Sequence, residues 1–256
     1  MPNDQAVTHT DFAHLRWKPF DHYRFAAGEA IVPLVAQELP NACHSLPIAF
    51  IRQQGHFIPA AVQGLQPGHN LLVGPDGRWL GPYIPAAYRG YPFALAQADN
   101  DQLVLCVETD SELIGEQHEQ PFFTDTGEPT QRVKDVLNFL QQVHQNRQRT
   151  QRLCAALEAE QLITAWSLRL QSDAGEQSVE GLYRIDEDRF NTLDSDALTR
   201  LHQAGALPLI DCQRLSMQHI QTLGTLAEHH AKAQPALDAG AFFGAEEESL
   251  SFDWDA

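Results

Sequence analysis

Near residue 130 the hydrophobic period of this chain changes from that of strands to that of a helix, and that change restricts the folds open to it more than any other feature. Before it, from Ile31 to Glu108, apolar runs are short and punctuated by Gly and Pro, the pattern of strands and hairpins. After it, Val133, Val136, Leu137, Leu140, Val143, Leu153 and Leu157 recur at helical steps, which predicts one long helix, straight or kinked, over about 130 to 160. Strands dominate early and helices later, without regular βαβ alternation. The fold class expected is therefore α+β rather than a doubly wound parallel sheet.

Four hairpins are predicted. Runs at 47–51 and 57–62 flank a polar turn containing Gly55, and runs at 71–73 and 78–80 flank Gly74-Pro75-Asp76-Gly77. Runs at 91–95 and 103–107 flank Asp99-Asn100-Asp101. Trp166, Leu168 and Leu170 alternate before Asp173-Ala174-Gly175, and 181–185 completes the fourth. Pro59 has no amide proton for a ladder, so it is expected at an edge or a bulge. Asp194 or Ser195 should cap a short helix ended by Gly205, and Leu215, Ile220, Leu223 and Leu226 mark a last helix running towards Lys232. The segment from His144 to Gln151 is polar on every side, so it either projects from the body or meets a partner through polar contacts. Three parts follow: an extended arm at 1–24 anchored by Phe12, Leu15, Trp17 and Phe20; a single α+β domain at 25–233; and an acidic tail at 234–256, expected to be disordered when free.

Charge narrows the partners. The chain has 17 Lys and Arg against 34 Asp and Glu, a formal net charge of −17 that repels a phosphate backbone. Arg147, Arg149 and Arg152 lie in a Gln-rich helical stretch without interleaved aromatics and read as a solvated helix face, so no nucleic-acid partner is expected. The tail accounts for −6 of the −17, with Asp238, Glu246, Glu247, Glu248, Asp253 and Asp255 and no Lys or Arg, which leaves the body at −11. The first residues lack both a basic start and an apolar core, and no stretch reaches ~18 uninterrupted apolar residues, so no membrane span and a cytoplasmic location are expected. Cys43, Cys106, Cys154 and Cys212 are far apart without C-x-x-C spacing, which suits reduced, buried thiols.

Two segments carry candidate sites. Arg78, Trp79, Tyr83, Tyr88, Arg89 and Tyr91 bracket a Pro- and Gly-rich loop and could set guanidiniums and rings around one small-molecule or peptide ligand. The competing reading is that the rings pack the core and the arginines pair with acids. In the tail, Phe242, Phe243, Phe252 and Trp254 lie among acids, the composition of a motif that docks into a groove with a basic rim, or of an end that only solubilises. Twelve histidines are scattered, with neither H-x-x-x-H nor H-E-x-x-H, so no metal ligand and no cofactor is assigned, while a site assembled from distant segments stays open. G-x-S-x-G is missing, Cys43-His44 are mere sequence neighbours, and the glycines at 64, 68, 74 and 77 match neither a dinucleotide fingerprint nor a Walker A loop. Among Asp99, Asp101, Glu108, Asp110 and Glu112 no acid/base pair stands out.

A series of short motifs runs in order along the chain: Val32-Pro33-Leu34-Val35, Glu38, Pro47-Ile48-Ala49-Phe50, Phe57-Ile58-Pro59, Gly64-Leu65, Gly68-His69-Asn70-Leu71, Gly77-Arg78-Trp79 and Gly81-Pro82-Tyr83-Ile84-Pro85-Ala86. It continues through Arg89-Gly90-Tyr91-Pro92-Phe93-Ala94-Leu95, Leu105-Cys106, Gly127-Glu128-Pro129-Thr130, Phe139-Leu140, Arg149-Thr150 and Leu153-Cys154. Over about 25 to 156, and more loosely to about 230, this series resembles the SapC family, whose label comes from a bacterial surface-layer locus. Relatives are often encoded near TonB-dependent receptors, tryptophan-halogenase-like flavoproteins and cupin-like oxygenases. The resemblance thus implies an accessory role beside receptor-linked uptake or modification, with a protein partner that is flavoprotein-like or receptor-associated. The reading that follows is a non-catalytic adaptor or binding protein. The alternatives are a metal-dependent oxygenase-like or peptide- or small-molecule-modifying enzyme, and a surface-layer structural protein, against which the missing export signal counts.

Overall fold

A computed structural model describes residues 4–97, 102–172 and 175–233. In chain order the strands are β1 (Asp4–Ala6), β2 (Arg16–Trp17), β3 (Ile31–Pro33), β4 (Ile48–Gln53), β5 (His56–Val62), β6 (Phe93–Gln97), β7 (Leu103–Glu108), β8 (Ile114–Gly115), β9 (Gln120–Pro121), β10 (Ile163–Ala165), β11 (Leu168–Ser172), β12 (Gly175–Val179) and β13 (Tyr183–Ile185). The helices are α1 (His9–Phe12), α2 (Leu39–Ala42), α3 (Ala86–Arg89), α4 (Gln131–Ala159), α5 (Glu187–Asn191), α6 (Ser195–Ala204), α7 (Leu207–Ser216) and α8 (Ile220–Ala233). Every strand pairing among the described residues is antiparallel, and the fold is α+β.

The main sheet runs β10-β13-β4-β5-β3. Its centre is the β4–β5 hairpin, turned at Gln54 and Gly55, where both φ values are positive, the geometry that matches strand twist in a two-residue turn. Pro59 sits in β5, an interior strand, and not at an edge or a bulge. It is tolerated there because its nitrogen faces the point where β3 stops. Leu34 N donates to Pro59 O at 2.8 Å, and only the return bond from position 59, the last of that ladder, is lost. A second sheet runs β1-β7-β6, and β2 is the middle strand of a small sheet between β8 and β9. The N-terminal arm therefore supplies strands to two sheets, and Phe12 and Trp17 are buried in their core with Phe93, Leu105, Val107, Phe122 and Val133. The loop between β6 and β7, containing Asp99-Asn100-Asp101, and the tail from 234 onward lie outside the described residues. The fourth hairpin comes in two stretches, β10 with β13 and β11 with β12.

Helix α4, about 43 Å long at 1.5 Å per residue, ties the two cores together. Its first turns pack Val133, Val136, Leu137 and Leu140 on the β6–β7 core, and its last turns bury Leu153, Cys154 and Leu157 against the main sheet. The polar stretch between lies over the 35–38 turn. Thr150 Oγ1 accepts from Ala36 N at 2.7 Å and donates to Asn146 O, while Asn146 exchanges hydrogen bonds with the Gln37 backbone and side chain at 3.1 and 3.0 Å. That stretch is thus polar partly because its neighbour is unpaired backbone of the same chain.

Helices close the other end. Asp194 caps α6 through Ala197 N, and Gly205 ends it. Leu215 belongs to α7, a separate helix begun by Leu207-Pro208, and the last helix α8 starts only at Ile220. Pro208 within the first turn permits helix, which is why Pro punctuation concealed α7. Strand β13 meets β4 only at Tyr183 and Phe50; in that register Ile185 faces Ile48, and the buried Gln213 carboxamide of α7 stands between them. It accepts from Ile185 N and donates to Ile48 O, each at 3.0 Å, in place of a ladder bond.

Gln213→Leu would leave those two backbone groups buried and unpaired. It is expected to lower unfolding free energy by about 2–4 kcal/mol, visible as a reduced urea midpoint at unchanged slope. A loss below about 0.5 kcal/mol would refute the bridging role.

Candidate functional site

The segment from Trp79 to Pro85 is too rich in Gly and Pro to form a helix or a ladder, so buried side chains must hold it. Glu38, at the start of α2, is 6% exposed and does so with both carboxyl oxygens. Oε1 accepts from Val35 N at 2.8 Å, and Oε2 accepts from the Tyr83 hydroxyl at 2.9 Å and from Ala86 N, an otherwise unpaired donor of the first turn of α3, at 2.8 Å. Burial, and then Glu38 itself, push the Tyr83 phenol well above its usual range, so it remains a donor. Trp79 Nε1 donates to Tyr83 O at 2.9 Å and closes the loop on itself.

A second buried unit lies alongside. Gln63 Oε1 accepts from the Tyr88 hydroxyl at 2.7 Å and from Asn70 Nδ2 at 3.0 Å. Asn70 Nδ2 also donates to Ala26 O, and its Oδ1 accepts from Leu72 N. Burial drives the Tyr88 phenol upward, and Glu29 adds to the shift. Gly64 follows Gln63 because a Cβ there would run into the His69 carbonyl.

On this scaffold six rings make one aromatic face. Phe25 stacks on Tyr91 with centroids 3.9 Å apart and meets Tyr88 edge-on at 6.0 Å. Trp79 lies 5.7 Å from Tyr88 and 5.5 Å from Tyr23, and Phe20 contacts Tyr23 and Phe25 at 5.3 Å each. Tyr88 is buried, whereas Phe20, Tyr23, Phe25, Trp79 and Tyr91 are half-buried, with exposed Leu80 next to Trp79 in sequence. One side of the face is acidic: Tyr91 donates to Ser111 Oγ at 3.2 Å beside Glu108 and Glu112, and His22 Nε2 lies 3.2 Å from Glu112. Burial is the main cause of an upward shift of the Tyr91 phenol.

Of the residues nominated from sequence, folding unites Trp79, Tyr88 and Tyr91 in this face and sets Tyr83 beneath it on Glu38. The two arginines have separate local partners. Arg78 is largely exposed on its turn and pairs with Asp76 at 3.2 Å, whereas Arg89 donates twice to Ile84 O and lies over the Tyr83 ring at 5.1 Å. Sequence reasoning missed Tyr23 and Phe25 and took Phe20 only as an anchor; the aromatic density of Phe20-Asp21-His22-Tyr23-Arg24-Phe25 was the available signal. Glu38 and Asn70 stood in the motif series without a role, and Gln63 gave no signal, since the partners that tie them into the site, Tyr83 and Ala86, Ala26, and Tyr88, lie 25 to 48 residues away.

Two cavities lie elsewhere in the body. One of about 30 Å³ lies between Glu38, Ile58, Ala87 and Thr150, and a groove of about 210 Å³ is lined by Leu39, Pro40, Arg149, Leu153, Pro208 and Leu209. The four cysteines are free and buried. Burial and Glu158 raise the Cys154 thiol to about 12, and burial and Cys43 raise Cys212 to about 12. Cys43 points inward while its neighbour His44 is exposed. Folding brings the His69 and His230 rings to 5.6 Å, yet among the described residues no three His, Cys, Asp or Glu are grouped to hold a metal ion. No helix among them is long and apolar enough to cross a membrane.

The fold and this site define an α+β protein with an aromatic face packed on buried polar side chains. Residues 7–223 match the SapC family, most of the chain, and the chain belongs to that family. No curated protein and no solved structure matches it.

Glu38→Ala removes the acceptor of three donors, two of them buried amides, and is expected to cost about 3 kcal/mol or more in urea unfolding, with loss of near-ultraviolet dichroism from the aromatic face. Tyr83→Phe, which deletes one donor only, should cost about 1 kcal/mol. Equal effects of the two substitutions would contradict the hub role of Glu38.

Proposed function

We propose that this SapC-family protein is a non-catalytic adaptor or binding protein that holds a protein partner on the aromatic face of Phe20, Tyr23, Phe25, Trp79 and Tyr91. The observation that carries this reading is that five half-exposed rings are held in place by one another and by buried polar groups beneath them. Rings ordered before binding lose little entropy on association, and aromatic side chains dominate the energetics of protein interfaces. The polar groups beneath are directed inward, at backbone and at one another, which suits a supporting scaffold more than a reaction centre. In this reading the protein acts in the cytoplasm, and the partner is a flavoprotein of the tryptophan-halogenase type or a receptor-associated protein, as the family resemblance suggests.

Native mass spectrometry of the full-length protein, purified gently from its own host, tests this with wild type beside Tyr23→Ala and Trp79→Ala. A stoichiometric protein partner is expected with the wild type. Each ring removed should weaken that complex by about 2 kcal/mol, roughly 30-fold in Kd. Retention of the partner by both variants, or a stoichiometric metal or small cofactor in place of a partner, would overturn the proposal.

A further inference from the structure

The groove of about 210 Å³ between α2, α4 and the start of α7 shares no residue with the aromatic face. Its walls are apolar, from Leu39, Pro40, Leu153, Pro208 and Leu209, and Arg149 stands at its side. A cavity of about 150 Å³ holds a benzene ring, so this groove has room for one aromatic side chain. It opens beside the one basic stretch of an acidic protein. Between Asp135 and Glu158, α4 carries Arg147, Arg149 and Arg152 and no acid, and all three arginines are exposed. None of them makes an ion pair with another described residue, whereas Arg52, Arg78, Arg200 and Arg214 each have one.

An occupant matched to this groove needs a ring flanked by carboxylates, and the chain's own tail has that composition. Trp254 stands between Asp253 and Asp255, with Phe252 before them, and the tail contains no Lys or Arg. Reach is sufficient. His219, just before α8, bonds the Cys43 carbonyl at the end of α2 at 3.1 Å, so α8 starts beside the groove's own helix. Its 14 residues lead away by at most about 21 Å. From Ala233 to Trp254 an extended chain spans about 70 Å, about three times the return distance. We propose that the C-terminal tail folds back on its own body, seating the Trp254 ring in this groove with Asp253 and Asp255 against Arg149 and Arg152.

Methyl NMR of the full chain, with leucine methyl groups labelled, tests the proposal. In the wild type the methyl signals of Leu39, Leu153 and Leu209 should carry ring-current shifts. In the Phe252→Ser/Trp254→Ser variant those signals should return towards ordinary leucine positions, while Leu46 and Leu105, in the cores, stay where they are. Arg149→Glu in the otherwise intact chain should move the same three signals in the same direction by weakening the charge pairing. Groove signals identical in wild type and tail variant would sink the proposal. So would a tail-dependent shift that disappears on dilution while light scattering reports a dimer, because the groove would then hold a second copy's tail.

Discussion

Every buried backbone donor and acceptor must find a partner, and in this protein a long irregular segment makes that requirement decisive. Between β5 and β6 the chain runs from Gln63 to Pro92 with one short helix and a single isolated bridge, Val73 to Trp79. Ladders cannot satisfy it. Glu38 takes the amides at 35 and 86, Asn70 takes the carbonyl at 26 and the amide at 72, and Thr150 takes the amide at 36. Gln213 and Ser216 do the same where the main sheet splays, Ser216 Oγ accepting from Ile48 N at 2.9 Å. Each of these side chains is itself buried, so each removal exposes unpaired groups to a low-dielectric interior, where the loss is about 1–3 kcal/mol per group.

The two cores have different owners in sequence. The main one is built by β3 to β5, β10, β13 and the C-terminal helices, the smaller one by the N-terminal arm, β6, β7 and the start of α4. Only α4 runs the length of both. Because its middle is fastened to the 35–38 turn by Thr150 and Asn146, and that turn holds Glu38, the same contacts that position the helix also position the loop under the aromatic face. Packing and site geometry therefore share residues, and a substitution at Thr150 should disturb the rings without touching them.

What was legible in the sequence divides along locality. The hairpin at 48–62, the helix over 131–159 and the Asp194 cap with its Gly205 stop rest on near neighbours in the chain, and period and punctuation showed them. Helix α7 was hidden, since Leu207-Pro208 reads as a break while it serves as a first turn, and Pro59 was misplaced because an edge in space had been equated with an edge strand. The aromatic face was half legible. Trp79, Tyr88 and Tyr91 share one loop, but Phe25 reaches Tyr91 across a separation no local pattern reports, and the carboxylate that organises the loop, Glu38, lies 45 residues from Tyr83. Arg78 and Arg89 looked like a pair in sequence and are used separately, because each finds a closer acceptor at Asp76 or Ile84.

Charge organises the outer surface as polarity organises the interior. A body that carries a net −11 without its tail repels further acid in general, so an acid-free length of α4 bearing three exposed arginines is the place where an acidic segment meets least resistance. The aromatic face carries both signs, with Glu108 and Glu112 along one side of Tyr91 and Arg89 acting on Tyr23. An acidic surface is thus opposed by carboxylates at the face and by none along this length of α4.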